Sequence, residues 1–99
     1  MKIEKIRSLL KQGRYYFYKH ALTEAKKDGI EPEDIEFAIL HGEIIEKYPE
    51  RNRCLIFCYL YNRIPIHVIC DYSNRTIILI VTVYIPNENK WINFKIRRK

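Results

Sequence analysis

The chain has 99 residues, of which 47% are hydrophobic and 30% charged, with three glycines and four prolines. This length and composition fit one folded domain, residues 1–99, and exclude a disordered chain, a fibrous repeat and two independent cores. The longest apolar stretch, Ile77–Val83, is too short to cross a bilayer, and the N-terminal residues are charged. The sequence therefore predicts a cytoplasmic protein without a membrane segment.

Charge is distributed unevenly along the chain. The net charge is +6, with eight basic and two acidic residues in 1–27, one and eight in 28–50, and nine and two in 51–99. Such segregation favours an electropositive surface that binds a polyanion, RNA above all. Ordinary solvated surface charge is the alternative.

The cysteines and the absence of known motifs exclude several kinds of site. Cys54, Cys58 and Cys70 are an odd number and lie within apolar runs, which indicates buried free thiols in a reducing compartment. Their spacing lacks the second Cys/His pair of a zinc site. No glycine-rich phosphate loop, dinucleotide fingerprint or nucleophile elbow is present. The sequence thus predicts neither a metal nor an organic cofactor.

Three helices are predicted in the first part of the chain, over about residues 2–41. Apolar residues recur at helical spacing in Ile3–Leu10, and Gly13 follows as a stop. Tyr15–Lys27 has a second helical pattern, which begins with an aromatic cluster. A third helix is expected between Pro32, a favoured first-turn residue, and Gly42.

From residue 43 to about residue 86 the apolar pattern changes to a period of two, which indicates strands. Short polar connections between successive strands favour an antiparallel meander. The fold class is therefore α+β, with N-terminal helices packed on a twisted four-stranded antiparallel sheet. The segment 91–99 is expected to form a further short strand or a basic tail. The four predicted strands are Ile44–Tyr48, Cys54–Tyr61, Ile64–Tyr72 and Thr76–Ile85.

The hairpin turns decide which side chains share a face of this sheet. Two-residue turns at Asn62-Arg63 and Ser73-Asn74 would place Leu55 and Phe57 on the face that the helices cover. The second face then carries His67 and is too apolar to be fully hydrated. We expect a remaining helix, a second copy of the chain or a partner protein to cover part of it.

His67 is the first candidate for proton-transfer chemistry on RNA. Metal-free RNA cleavage needs a base for the 2′-hydroxyl, an acid for the leaving 5′-oxygen and a cation for the phosphate. His67 is predicted to share the second face with Tyr84, with Arg53 and Arg63 at strand ends as phosphate contacts. A hydrogen-bonded structural histidine is the alternative.

His20 and Glu46 are further catalytic candidates. His20 lies beside Lys19 on the second predicted helix, where a capping or packing role is the alternative. Glu46 could supply a base, although a charged residue on a short edge strand also protects a sheet from aggregation. His41, at the end of the third helix, is better explained as a cation at a helix C-terminus.

Aromatic residues interleaved with cations are typical of proteins that stack the bases of single-stranded nucleic acid. Tyr15–Tyr18 followed by Lys19 has this composition, and so does the tail after Trp91. Packing of the rings in the core is the alternative in both places. The residues predicted to contact RNA are Lys19, Arg53, Arg63, Arg97 and Arg98.

Five segments, in this order, carry a resemblance to a known family: Tyr18–Leu22, Gly29–Ile35, Leu40–Pro49, Pro65–Val68 and Thr82–Pro86. The chain resembles a family of small prokaryotic proteins classed as a domain of unknown function, which is similar to the RelE/ParE-like toxins, near BrnT and MqsR. The resemblance implies helices on a twisted antiparallel sheet and an mRNA-cleaving toxin neutralised by a protein antitoxin. The residues it covers are His20, Glu43, Glu46, His67 and Tyr84.

The chain departs from that family at two acidic positions. Glu24 and Asp28 stand where the family carries arginine, which removes two phosphate contacts. The first hypothesis is a toxin-like, metal-independent endoribonuclease of a type II toxin-antitoxin pair. The second is a non-catalytic RNA- or protein-binding module that uses the apolar second face and its basic rim. The third is a homodimer that shares the second face.

Overall fold

Three helices precede the main sheet in the computed structural model, which describes residues 1–99. Helix α1 spans Ile3–Lys11, α2 spans Lys19–Lys27 and α3 spans Pro32–His41. At the start of α3 the Asp34 carboxylate accepts the Glu31 backbone N–H at 2.9 Å, which caps the helix. The predicted positions of the first and third helices are confirmed. None of the three is long and apolar enough to cross a membrane.

The main sheet has five strands in the order β1-β5-β4-β3-β2. Strands β2 to β5 form the expected antiparallel meander, and β1 pairs in parallel with β5 at the edge. The predicted four-stranded antiparallel sheet is therefore wrong in strand number and in being wholly antiparallel. The strands are β1 Tyr15–Phe17, β2 Glu43–Tyr48, β3 Arg53–Tyr59, β4 Pro65–Asp71 and β5 Ile78–Tyr84.

Strand β1 occupies residues that the sequence assigned to the second helix. Tyr15 lies opposite Ile78, and the Tyr18 backbone N–H donates to the Ile80 carbonyl at 2.9 Å. Three consecutive aromatic residues favour an extended strand over a helix when an unpaired sheet edge is available. The second helix therefore begins at Lys19 and not at Tyr15.

The two faces of the sheet differ from the prediction on β3. Phe57 pairs with His67, and His67 pairs with Tyr84, so each register is shifted from the one expected. Because side chains alternate along a strand, the shift exchanges the faces of β3. Ile56 and Cys58 join the helix-covered core, while Leu55 and Phe57 share the second face with His67.

A C-terminal hairpin, β6 (Trp91–Ile92) and β7 (Ile96–Arg97), covers part of the second face. Trp91 is only 3% exposed and its ring centroid lies 4.6 Å from that of His67. We expected a helix, a second copy of the chain or a partner protein to cover this face. The chain's own tail covers part of it, and the homodimer hypothesis stays a prediction.

Gly42 permits the close join between α3 and β2. A Cβ atom at this position would stand 2.5 Å from the carbonyl oxygens of both Ala38 and Phe57. No side chain fits between these two backbone segments. The glycine thus lets β2 leave the end of α3 and place its acidic residues beside the second face.

Candidate functional site

His67 lies on the second face and is completely buried. Its Nε2 atom is 2.7 Å from the Phe94 carbonyl oxygen, and its Nδ1 atom is 3.1 Å from the Tyr84 hydroxyl. A carbonyl oxygen can only accept, so Nε2 carries the proton and donates it to Phe94. Nδ1 then accepts the hydrogen bond that the Tyr84 hydroxyl donates. Both ring nitrogens are satisfied inside the protein, and neither is free to contact a substrate.

Aromatic rings enclose this imidazole. Trp91, Tyr84 and Phe57 meet it edge to face, with centroid distances of 4.6, 5.2 and 5.9 Å. Burial lowers the pKa of His67 and the charge of Arg97 lowers it further, against the opposing effects of the Phe94 carbonyl and the Glu46 carboxylate. The neutral imidazole is therefore the form present at neutral pH.

The lowered pKa of His67 predicts a loss of stability in mild acid. In the unfolded chain His67 takes up a proton near pH 6.5, whereas the folded state resists protonation. The contribution is complete above about pH 6.5 and is lost as the pH falls through the folded pKa. We expect the free energy of unfolding, measured by urea titration, to fall below that pH.

The exposed histidines provide the control for this titration. The pH dependence should persist in His20→Asn, because His20 is exposed, and should be reduced in His67→Gln. An unchanged pH profile in His67→Gln would mean that another group causes the effect. The lowered pKa values of Glu46 and Asp71 place their own titration at more acid pH.

Two ion pairs hold the hairpin on β2. Arg97 donates from Nη2 and Nε to the Glu46 carboxylate at 3.0 and 3.3 Å, and Lys95 Nζ lies 2.9 Å from a Glu43 oxygen. The Arg97 guanidinium also stacks 4.5 Å from the Trp91 ring centroid. Exposed pairs of this kind contribute up to about 1 kcal/mol each, so the buried Trp91 contributes more to the attachment.

The turn of the hairpin has an unusual backbone. Asn93 and Phe94 have φ values of 53° and 61°, and the Lys95 N–H donates to the Ile92 carbonyl at 3.0 Å. A left-handed conformation is unfavourable for a bulky residue such as Phe94. In this turn Phe94 adopts the left-handed conformation, and its carbonyl oxygen points towards His67 and accepts its hydrogen bond.

Glu46 and Tyr48 form a hydrogen-bonded pair beside the hairpin. The Tyr48 hydroxyl donates to the Glu46 carboxylate. Burial and this bond raise the pKa of Tyr48 to about 12, so the phenol keeps its proton. Burial alone would raise the pKa of Glu46, but the bonds from Arg97 and Tyr48 outweigh it and lower that pKa. A proton donor and a carboxylate therefore stand side by side.

Three arginines line an open cavity of about 340 Å³ at the adjacent end of the second face, which we call the arginine cavity. Arg51 follows β2, Arg53 begins β3 and Arg97 comes from the hairpin. Arg53 Nε donates to the buried Asp71 at 2.8 Å, and Arg97 is paired with Glu46. Arg51 has no ion-pair partner. The remaining lining residues are Tyr48, Glu50 and Ile69.

The structure brings together some of the predicted site residues and separates others. His67 and Tyr84 are in contact, and the charge of Glu46 acts on His67. Arg53 and Arg97 share the arginine cavity.

Other predicted residues lie elsewhere. His20 and Lys19 are exposed on α2, which packs on the opposite face of the sheet. Arg63 belongs to the turn at the far end of β3, and Arg98 donates to the Glu88 carbonyl at 2.9 Å. The expected open surface around a catalytic histidine is not observed, because the hairpin closes over His67. This closure speaks against a catalytic role for His67, which stays a prediction.

Several residues of this site were not singled out by the sequence analysis. Tyr48 and Arg51 were not among the chosen candidates, although Glu46 and Tyr48, two apart on a strand, must share a face. The part played by the Phe94 carbonyl has no side-chain signal in the sequence. No group of three or more His, Cys, Asp and Glu side chains is placed to hold a metal ion.

Comparison with known proteins gives one match. No curated protein and no solved structure matches the chain. A family model described as "Domain of unknown function (DUF4258)" matches residues 17–85. This range runs from the last residue of β1 through β5 and includes Glu46, His67 and Tyr84, while the C-terminal hairpin lies beyond it. The chain belongs to the DUF4258 family.

Proposed function

We propose that the protein binds single-stranded RNA by its phosphate backbone at the arginine cavity. The observation that carries this proposal is the convergence of Arg51, Arg53 and Arg97, from three separate segments, on one open cavity. Guanidinium groups offer several directed N–H donors, which suit the oxygens of a phosphate. The net charge of +6 adds a general attraction for a polyanion.

The ion pairs at this cavity leave donors for a ligand. Asp71 accepts from Arg53 through Nε only, so the terminal nitrogens of that guanidinium stay available. Glu50 lines the cavity and Glu46 and Asp71 pair with two of the arginines, so net charge at the cavity is small. Directed hydrogen bonds, and not local net charge, are therefore the basis of the proposed phosphate contacts.

Arg51→Gln is expected to weaken binding of a single-stranded RNA about tenfold, the loss of one charge-assisted hydrogen bond. The plot of log affinity against log salt concentration should also become less steep, with the magnitude of its slope reduced by about 0.7, since one phosphate contact is lost. Arg51 is exposed and unpaired, so the fold should be unaffected. Fluorescence anisotropy at several salt concentrations measures both quantities.

Arg63→Gln is the matched control for this measurement. Arg63 is also exposed and unpaired, and it lies at the opposite end of β3. Its replacement should leave the affinity within about twofold, a change of less than half a kcal/mol. Equal losses in the two variants would indicate nonspecific attraction and would remove the arginine cavity from the account.

A toxin-like, metal-independent endoribonuclease is the second candidate function. The specific observation in its favour is the Glu46–Tyr48 pair beside the arginines. In this mechanism the Tyr48–Glu46 hydrogen bond opens when RNA binds. Glu46 then accepts the proton of the 2′-hydroxyl as the 2′-oxygen attacks phosphorus, and Tyr48 donates a proton to the 5′-oxygen as its bond to phosphorus breaks. When the bond between the two side chains forms again, the proton passes from Glu46 to Tyr48. The products are a 2′,3′-cyclic phosphate and a 5′-hydroxyl, with arginines stabilising the phosphorane charge.

Tyr48→Phe tests the second candidate. It should reduce cleavage in the presence of a chelator at least about a hundredfold, the usual contribution of a general acid, while RNA binding persists. Tyr61→Phe is the control, since Tyr61 is 85% exposed. Gel analysis with end-labelled RNA measures the rates. A wild-type protein that binds RNA and never cuts it would discard this candidate and leave the binding proposal intact.

The toxin proposal carries further expectations. It places the protein in the cytoplasm with mRNA and gives it a cognate antitoxin protein as partner. It also includes the likeness to RelE/ParE-like toxins in fold. Helices on one face of a largely antiparallel sheet are compatible with that likeness.

A further inference from the structure

A second cavity lies at the same end of the sheet as the arginine cavity, on the side of α1. It has a volume of about 860 Å³, and we call it the lysine groove. The basic side chains that line it are Lys2, Lys5 and Arg75. Asn52 and Tyr72 line the end nearest the arginine cavity.

Cations in the lysine groove are not neutralised by acidic partners. Neither Lys2, Lys5 nor Arg75 takes part in any ion pair, and Glu4 is the only acidic side chain in the lining. A smaller cavity of about 260 Å³ shares Lys5 and Arg75 and adds Arg14. The groove therefore continues along α1 as a line of unpaired positive charge, which the arginine cavity lacks.

Asn52 connects the two cavities. In the sequence it lies between Arg51 and Arg53, which line the arginine cavity, and Asn52 itself lines the lysine groove. Its left-handed backbone, with φ of 53°, turns the chain at this point. The Tyr72 backbone N–H donates to the Asn52 carbonyl at 2.8 Å and fixes the turn against the end of β4.

We infer that the lysine groove is the second half of one path for single-stranded RNA, so that a strand bound at the arginine cavity passes Asn52 and places its next phosphates near Lys5 and Arg75. This inference rests on the proposed RNA binding and adds the direction and length of the bound strand. Lysines there supply attraction to the backbone without base specificity. The half-buried Tyr72 offers the groove an aromatic surface for a base.

RNA length separates this inference from the proposed function. A strand of about four nucleotides fills one cavity, whereas one of about twelve can cross both. The wild-type protein should bind the longer strand more tightly and with a steeper salt dependence. The double variant Lys5→Gln/Arg75→Gln should lose most of that gain, while its affinity for the short strand stays equal to wild type.

Lys26→Gln is the control, because Lys26 is exposed and unpaired on α2, away from both cavities. An unchanged affinity of the double variant for the long strand would overturn the inference and leave the proposed function standing. Failure of the wild-type protein to bind either strand would overturn both. Fluorescence anisotropy with poly-uridine strands of the two lengths gives these results.

Discussion

Replacing Trp91 with alanine is expected to lower the free energy of unfolding by about 4 kcal/mol. The indole is only 3% exposed and fills the space between the hairpin and His67. Its removal also ends the stacking of Arg97, which is 4.5 Å away. Apart from Trp91, the short hairpin is held by the hydrogen bond from His67 to the Phe94 carbonyl and by two largely exposed ion pairs. Urea unfolding followed by circular dichroism measures the change.

Ile92→Ala is the matched control on the same hairpin. Ile92 is 39% exposed and adjoins Trp91 on β6. Its replacement by alanine should therefore lower the free energy of unfolding by no more than about 1 kcal/mol. If Trp91→Ala lowers the free energy of unfolding no more than Ile92→Ala does, the prediction is contradicted, because the hairpin then does not cover the second face in solution.

His67→Ala should destabilise the protein by a similar amount, about 4 kcal/mol. The replacement leaves a cavity beneath Trp91 and removes the partner of both the Tyr84 hydroxyl and the Phe94 carbonyl. A catalytic histidine on an open surface would behave differently, because its loss would abolish activity and leave the stability unchanged. Equilibrium unfolding therefore distinguishes the two roles.

His20→Ala provides the comparison for His67→Ala. His20 is exposed and its side chain forms no hydrogen bond, so the change in stability should stay within about 0.5 kcal/mol. A His67→Ala protein as stable as His20→Ala would show that the imidazole is not held between Tyr84 and Phe94 in solution.

Periodicity and capping residues were sufficient to predict most of the fold. Helices α1 and α3 and the meander from β2 to β5 follow from local patterns that tertiary structure did not override. The register of the hairpins could not be obtained in this way, because the connections are longer than two residues. Between β3 and β4 the Leu60 N–H donates to the Ile64 carbonyl at 2.9 Å. Between β4 and β5 the Asp71 carboxylate accepts from Ser73 and extends the loop.

The composition of the candidate site was predictable only in part. A polar cluster around His67 and Tyr84 follows from their positions on neighbouring strands, and Arg53 follows from its place at a strand end. A hydrogen-bonded structural role for His67 was the alternative that the sequence offered. The segment that buries the imidazole could not be foreseen, since it is a hairpin of two-residue strands. Such short strands leave almost no period in a sequence.

The contribution of Arg51 to the arginine cavity also could not be predicted from the sequence. Its side chain reaches the arginine cavity only because a 3₁₀ turn, Pro49–Arg51, links β2 to β3. A charged residue in a polar connection has many solvated orientations, and local pattern does not distinguish among them. The convergence of three arginines is therefore a property of the tertiary structure.

Binding of RNA phosphates at the arginine cavity is the central claim, and side-chain NMR of the arginines tests it most directly. With a short single-stranded RNA, the Nε–Hε resonances of Arg51, Arg53 and Arg97 should shift in proportion to occupancy, while that of Arg63 at the other end of the sheet stays in place. A shift at Arg63 with no change at the three cavity arginines would contradict the claim.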